Sequence, residues 1–173
     1  MANLYLVGLP GAGKTTVGRI ISRRLNLQFI DLDRLVLQRE QLSMKELYAR
    51  GESYFQDRET EALIWVRDHC DRCVVATGGG IADREENVRL LEQQPVLYVV
   101  RRPDSILRTL NTDKRPSFEN DPDRIYQFAE ARTPVYERIA DVRVMNNRSL
   151  HSCIGQVLRE LEQYGFPDEQ TQK

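Results

Sequence analysis

The residues best suited to chemistry lie near the start of the chain. Gly8-Leu9-Pro10-Gly11-Ala12-Gly13-Lys14-Thr15 satisfies the pattern G-x-x-x-x-G-K-[ST] at every constrained position. Each residue type has a physical task there. Glycines let the main chain turn until successive N–H groups converge on one point as an anion nest. A helix starting near Lys14 aims the positive end of its dipole at the same point. Lys14 adds a full charge for the β and γ phosphates of a nucleotide, and Thr15 offers a hydroxyl to Mg²⁺. A chance glycine-rich turn is the alternative, and the context argues against it: an apolar run, Leu4 to Val7, leads in and an amphipathic stretch leads out. The motif implies nucleotide binding and leaves the second substrate open.

Two more clusters follow. Asp31-Leu32-Asp33 closes the second apolar run. If the strand continues to Asp33, alternation sends both carboxylates to one side, facing the crevice beyond the carboxyl ends of a parallel sheet. Asp31 then holds a water on Mg²⁺, and Asp33 accepts a hydrogen bond or a proton from a substrate hydroxyl. A solvated turn or a helix cap is the competing reading, and both stay open. Gly78-Gly79-Gly80 follows the third apolar run. Three glycines leave bare backbone that a small ligand can approach closely, unless they form only a flexible loop.

These groups need a scaffold, and the hydropathy pattern supplies one. Short, almost wholly apolar runs at Asn3–Val7, Gln28–Asp31, Cys73–Ala76, Val96–Val100 and Val142–Met145 read as strands buried on both faces. Between them, Lys14–Leu25, Tyr54–His69, Asp83–Gln93, Arg124–Ala140 and Ser149–Tyr164 carry apolar residues at helical spacing. Strand and helix in alternation predict a parallel α/β sheet with right-handed crossovers. The 173 residues suit one domain over 1–173. The stretch Asn111–Asp123 is too polar for a core and reads as a surface loop or lid.

Charge and cysteine content narrow the classes. A net charge of −1 excludes the basic surplus of a general nucleic-acid binder. No apolar run approaches the ~20 residues that span a bilayer, and no basic segment followed by an apolar core opens the chain; the expected setting is cytoplasmic. Cys70, Cys73 and Cys153 are an odd count. Cys70-x-x-Cys73 leads into an apolar strand, with only His69 and His151 as further soft ligands, so structural thiols are expected.

In order and spacing, the phosphate loop, the Asp31-x-Asp33 pair, Gly51-Glu52-x-x-Phe55, the three glycines and Arg132-x-Pro134-x-Tyr136 resemble the shikimate kinases, from about Asn3 to Tyr164. The resemblance implies a P-loop NTPase three-layer sandwich with a five-stranded parallel sheet in the order 2-3-1-4-5. It implies a substrate-binding segment at about 32–60 and a lid at about 111–123. The implied reaction is transfer of the γ-phosphoryl of ATP, with Mg²⁺, to the 3-hydroxyl of shikimate. Separately, no obvious extra apolar helix face remains in the pattern, so a monomer without nucleic-acid or membrane partners is expected. Gly11, Ala12, Gly13, Lys14, Thr15 and Thr16 match the nucleotide-binding run, with Lys14, Asp33 and Arg115 as its reactive groups. Thr15 and, through water, Asp31 match the metal positions. Gly78, Gly79 and Gly80 match substrate-binding glycines, Arg115 the lid arginine, Arg132 a carboxylate-binding arginine, and Arg108 and Arg148 the positions beside adenine. An arginine on a mobile loop also makes sense by itself, because it brings positive charge to the phosphoryl group as water leaves. Arg132 could equally serve an ion pair.

One position departs from the resemblance. Phe55 and Glu59 hold the register of Gly-Glu-x-x-Phe-Arg-x-x-Glu, so the substrate-binding arginine is replaced by Gln56. A guanidinium holds a carboxylate with a charge-assisted fork, which a neutral amide cannot reproduce. A charged hydrogen bond of about 1.5–3 kcal/mol corresponds to roughly 10- to 150-fold in binding. Arg58 lies about 200° further round a helix and faces away. The lid run Arg115-Pro116-Ser117-Phe118 departs from the usual Arg-Pro-Leu. The acceptor is either shikimate, anchored through Arg132, or another small hydroxylated acid or polyol. A non-catalytic nucleotide-binding module is the third reading.

Overall fold

The computed structural model describes residues 2–109, 121–147 and 149–166. Five parallel strands, β1 (Leu4–Val7), β2 (Gln28–Asp31), β3 (Cys73–Ala76), β4 (Val96–Val100) and β5 (Val142–Met145), form one sheet in the order β2-β3-β1-β4-β5. β1 lies at the centre, and its backbone is hydrogen-bonded on both sides. Alternation sorts its side chains. Leu4 and Leu6 join Val17 and Ile21 of α1 (Lys14–Arg24) and Val157 and Leu161 of α8 (Leu150–Gln163) in one core. Tyr5 and Val7 face the other core, with Leu63 of α4 (Glu52–His69), Leu91 of α5 (Glu85–Leu91) and Tyr136 of α7 (Arg124–Ile139). Helices thus cover both faces, as strands without a polar side require.

The apolar runs predicted four of the five strands residue for residue; β1 begins at Leu4, because Asn3 turns its side chain to other work. Asn3 is buried, donates Nδ2 to the Cys70 carbonyl at 2.7 Å and accepts the Cys73 amide on Oδ1 at 3.0 Å. It staples the start of β1 to the start of β3. Three helices were not anticipated: α2 (Leu32–Glu40), α3 (Met44–Ala49) and α6 (Pro103–Leu107). Ser43 and Glu46 form a reciprocal capping box at the head of α3. A 3-10 turn, Ile81–Asp83, precedes α5, whose helical stretch is shorter than the pattern suggested.

α2 and α4 pack together beyond the β2 edge. There Trp65 of α4 stacks on His69 at 5.2 Å between centroids, while the Arg39 guanidinium of α2 lies 5.3 Å from the indole ring. The cysteines are free, and burial pushes the Cys73 thiol up to about 11, where a reactive thiolate is scarce.

Replacing Asn3 with alanine leaves the part-buried Cys70 carbonyl and the buried Cys73 amide without these partners. The expected loss is about 2–3 kcal/mol of stability, read as a lower urea midpoint with an unchanged slope.

Candidate active site

The phosphate loop joins β1 to α1 at the carboxyl edge of the sheet. Gly13, the residue before α1, sits in the left-handed region at φ 100°, and Gly11 at φ 82°. A methyl group on Gly13 would lie 2.5 Å from Nδ2 of Asn146, just beyond β5, which itself donates to the Ala12 carbonyl at 2.9 Å. Glycine is needed there for both angle and space. Lys14 is 7% exposed, and its ammonium donates to the carbonyls of Gly8 at 2.7 Å and Leu9 at 3.1 Å. These contacts hold the charge against the loop.

Thr15 Oγ1 donates to Asp31 Oδ2 at 2.8 Å, while Asp31 Oδ1 accepts the Arg34 amide at 3.2 Å. The carboxylate therefore faces the hydroxyl and caps α2 at once, so the helix-cap reading of Asp31 is realised. Asp33 requires a correction. The strand ends at Asp31, because Leu32 already starts α2. Asp33 reaches the crevice from the first helical turn, not by strand alternation, and it lines the same cavity as the phosphate loop.

That cavity holds about 430 Å³, within the range of small-molecule sites. Gly11, Gly13, Lys14, Thr15 and Thr16 line it, together with Asp33, Gln56, Gly78, Gly79, Gly80 and Arg132. Ala12 lies buried beneath the loop. Arg108 stands exposed at the end of α6, off the cavity wall. Arg115, Arg148 and all but the last three residues of the expected lid segment lie outside the described residues.

The glycine run is tightly seated. A methyl group on Gly78 would overlap Glu59 Oε1 and lie 2.7 Å from Asp33 Oδ1; one on Gly79 would press into Pro10 of the phosphate loop. The Gly79 carbonyl accepts the Tyr136 hydroxyl at 2.6 Å. The glycine run and the phosphate loop are thus in van der Waals contact at Pro10.

Arg132 is 6% exposed and donates through Nε and Nη2 to the two oxygens of Asp83 at 2.7 and 2.6 Å, with Phe128 3.7 Å from its guanidinium carbon. It lines the cavity as a paired cation. Gln56 accepts a long bond, 3.4 Å, from Arg84 Nε, and Arg84 itself pairs with Asp57 at 2.6 Å. Arg58 pairs with Glu61 at 2.6 Å, off the cavity wall, as the helical angle requires.

Several residues that line the cavity were given no site role by sequence reasoning, Glu59 foremost among them. Glu59 lies one helical turn from Gln56, buried to 1% exposure, with Oε1 lacking a hydrogen-bond partner. Burial pushes its carboxyl well above the ordinary range; Asp33 and Asp83 add to this, and Arg132 and Lys14 partly oppose it. Asp83, Tyr48 and Arg101 also line the cavity. The helical repeat that held Phe55 in register could have flagged Glu59; no motif marked the others.

Thr15 and Asp31 bear on the metal expectation. Among the described residues no three His, Cys, Asp or Glu side chains gather as a metal cluster. Mg²⁺ needs no such cluster, since it keeps several waters and takes one or two protein oxygens beside substrate phosphates. The Thr15–Asp31 pair at the edge of the anion nest fits that requirement.

A parallel sheet in this order, a phosphate loop after its central strand and a small-molecule cavity against that loop define a P-loop small-molecule kinase fold. Comparison with known proteins narrows the class. The sequence model of the family "Shikimate kinase" matches residues 10–162. A shikimate kinase of Clostridium botulinum (strain Eklund 17B / Type B) is 30% identical over 155 residues, covering 89% of this chain and 93% of the relative. One from Sulfurihydrogenibium sp. is 33% identical over 157 residues, 89% and 93%. Among solved structures, a shikimate kinase from Acinetobacter baumannii in complex with shikimate superposes with a TM-score of 0.86 at 29% identity, covering 95% of this chain and 94% of the other. The chain belongs to the shikimate kinase family.

The raised carboxyl of Glu59 has a measurable sign. A carboxyl that holds its proton more tightly folded than unfolded stabilises less as pH rises above its unfolded value of 4.5. Glu59→Gln removes that term. Its stability relative to the wild type should rise between pH 4 and pH 8 in urea unfolding; a difference independent of pH would show that the carboxyl is not shifted.

Proposed function

We propose that the protein transfers the γ-phosphoryl group of ATP to the 3-hydroxyl of shikimate. The observation that carries this is the single cavity in which the phosphate loop, Asp33 and the glycine run meet, with Gly79 against Pro10. That contact brings a hydroxyl seated over the glycines beside the end of a triphosphate lying in the nest. Proximity of this kind supplies much of the acceleration in phosphoryl transfer, where the protein makes no covalent bond.

The loop amides and Lys14 hold the phosphates, and the ammonium exchanges its carbonyl contacts for phosphate oxygens. Asp33 orients the acceptor hydroxyl and takes its proton as the oxygen attacks in line. Thr15 and, through water, Asp31 would hold Mg²⁺, which would supply positive charge to the phosphates. Arg115 closes over the transferring group, and Arg108 and Arg148 flank the adenine. The acceptor's carboxylate meets Arg132, whose Nε and Nη2 edge belongs to Asp83. It therefore binds end-on, supplemented by the Gln56 amide. The substrate-binding segment spans about 32–60 within one kinase domain.

ADP release should depend on shikimate and on Lys14. Purified protein with Mg-ATP should form ADP at least 10²-fold faster with shikimate than without, and Lys14→Ala should abolish that increment while keeping its unfolding midpoint within about 1 kcal/mol, as for most changes outside an apolar core. Faster turnover with another hydroxylated acid across an acceptor panel would reassign the substrate; no turnover on any acceptor would leave a nucleotide-binding module.

Gln56→Arg restores a guanidinium one turn from the buried Glu59. The KM for shikimate should fall by about 10-fold or more, the lower end of the value of a charged hydrogen bond. An unchanged KM would put the carboxylate elsewhere.

A further inference from the structure

Among the described residues two arginines line the cavity, and one of them, Arg132, is paired with a carboxylate. Arg132 is committed to Asp83. Arg101 follows the last residue of β4 and reaches the phosphate loop, where Nη1 donates to the Gly11 carbonyl at 3.0 Å. Among the described residues no carboxylate lies within ion-pair distance of it. Its Nε is sealed from solvent and has no hydrogen-bond partner. A guanidinium has five N–H donors in a fixed fork, and a part-buried one with a single carbonyl acceptor is an under-used cation. The cost of desolvating a charge makes such an arrangement expensive unless an anion completes it.

The loop fixes which anion. Lys14 and Arg101 rest on carbonyls of the same loop, at Gly8 and Leu9 for the first and at Gly11 for the second. In a loop of this pattern the residues at the helix start face the α and β phosphates, and the lysine reaches the β and γ phosphates. Gly11 precedes that start, and its neighbour Pro10 abuts Gly79 of the acceptor side. Arg101 therefore stands where the end of the triphosphate meets the acceptor.

We propose that Arg101 is a ligand of the nucleotide's terminal phosphate and stabilises the phosphoryl group during transfer. This rests on the reading of the cavity as an ATP-phosphate pocket. The guanidinium sits on a strand end, so its charge is in place before any segment closes, and its fork matches phosphate oxygens that a lysine meets only as a point charge.

A strut for the loop would use the same Gly11 contact, and substitution separates the two roles. Arg101→Gln keeps an N–H donor for the Gly11 carbonyl and loses the charge; Arg101→Lys keeps the charge and loses the fork. Binding of Mg-ATP and Mg-ADP by titration calorimetry, kcat with shikimate and the urea midpoint are measured for all three proteins. The expected result is an ATP affinity and a kcat each lowered by about 10- to 100-fold in Arg101→Gln, the value of a charged hydrogen bond. ADP affinity should fall less, Arg101→Lys should recover part of the loss, and the midpoints should agree. Wild-type behaviour of Arg101→Gln overturns the proposal, as do equal losses for ATP and ADP with a lowered midpoint. If the wild type itself fails to bind Mg-ATP, the pocket reading falls first and takes the proposal with it; wild-type binding with an indifferent Arg101→Gln sinks the proposal alone.

Discussion

A triphosphate carries its charge in a row, and the molecule answers with main-chain N–H groups backed by one buried ammonium. That requirement orders the rest of the structure. A nest of amides needs a chain reversal with left-handed residues, which Gly11 and Gly13 provide. The reversal needs a rigid entry and a helix at its exit, which β1 at the centre of the sheet and α1 supply. A central strand in turn needs neighbours on both sides, and β3 and β4 bring the glycine run and Arg101 to the same edge. The acceptor pocket is thus built from segments that must end there anyway.

Electrostatics on the acceptor side differ from those on the phosphate side. Asp33, Glu52, Glu59 and Asp83 line one part of the cavity, and the paired Arg132 offsets only some of their charge. Gln56 adds no cation. Burial and the neighbouring Asp33 and Asp83 push the Glu59 carboxyl well above the ordinary range, and Arg132 and Lys14 oppose this only in part.

Much of this was legible beforehand. Strands buried on both faces announce themselves as unbroken apolar runs, so β2 to β5 were bounded to the residue, and the loop motif fixes its own geometry. Asp33 shows the limit. Asp31-Leu32-Asp33 fits a strand end by alternation, but the Asp31 carboxylate captures the Arg34 amide and starts a helix one residue earlier. A local side-chain hydrogen bond outweighed the pattern. The helices of six and five residues, α3 and α6, are too short to establish a period. Arg101 and Asn146 sit just past strands, where no motif distinguishes a residue folded onto the loop from one pointing to water. The pairing of Arg132 with Asp83 joins residues 49 positions apart and depends wholly on the tertiary fold.

Trp65 is the sole tryptophan in the chain, and it sits where α2 meets α4, between a guanidinium and an imidazole. α2 carries Asp33, and α4 carries Gln56 and Glu59. Indole emission is sensitive to a nearby charge and to a stacked ring, and no second indole contributes background. The protein thus holds an intrinsic optical probe where these two helices pack, and a change in its fluorescence would report a change at that contact without a label.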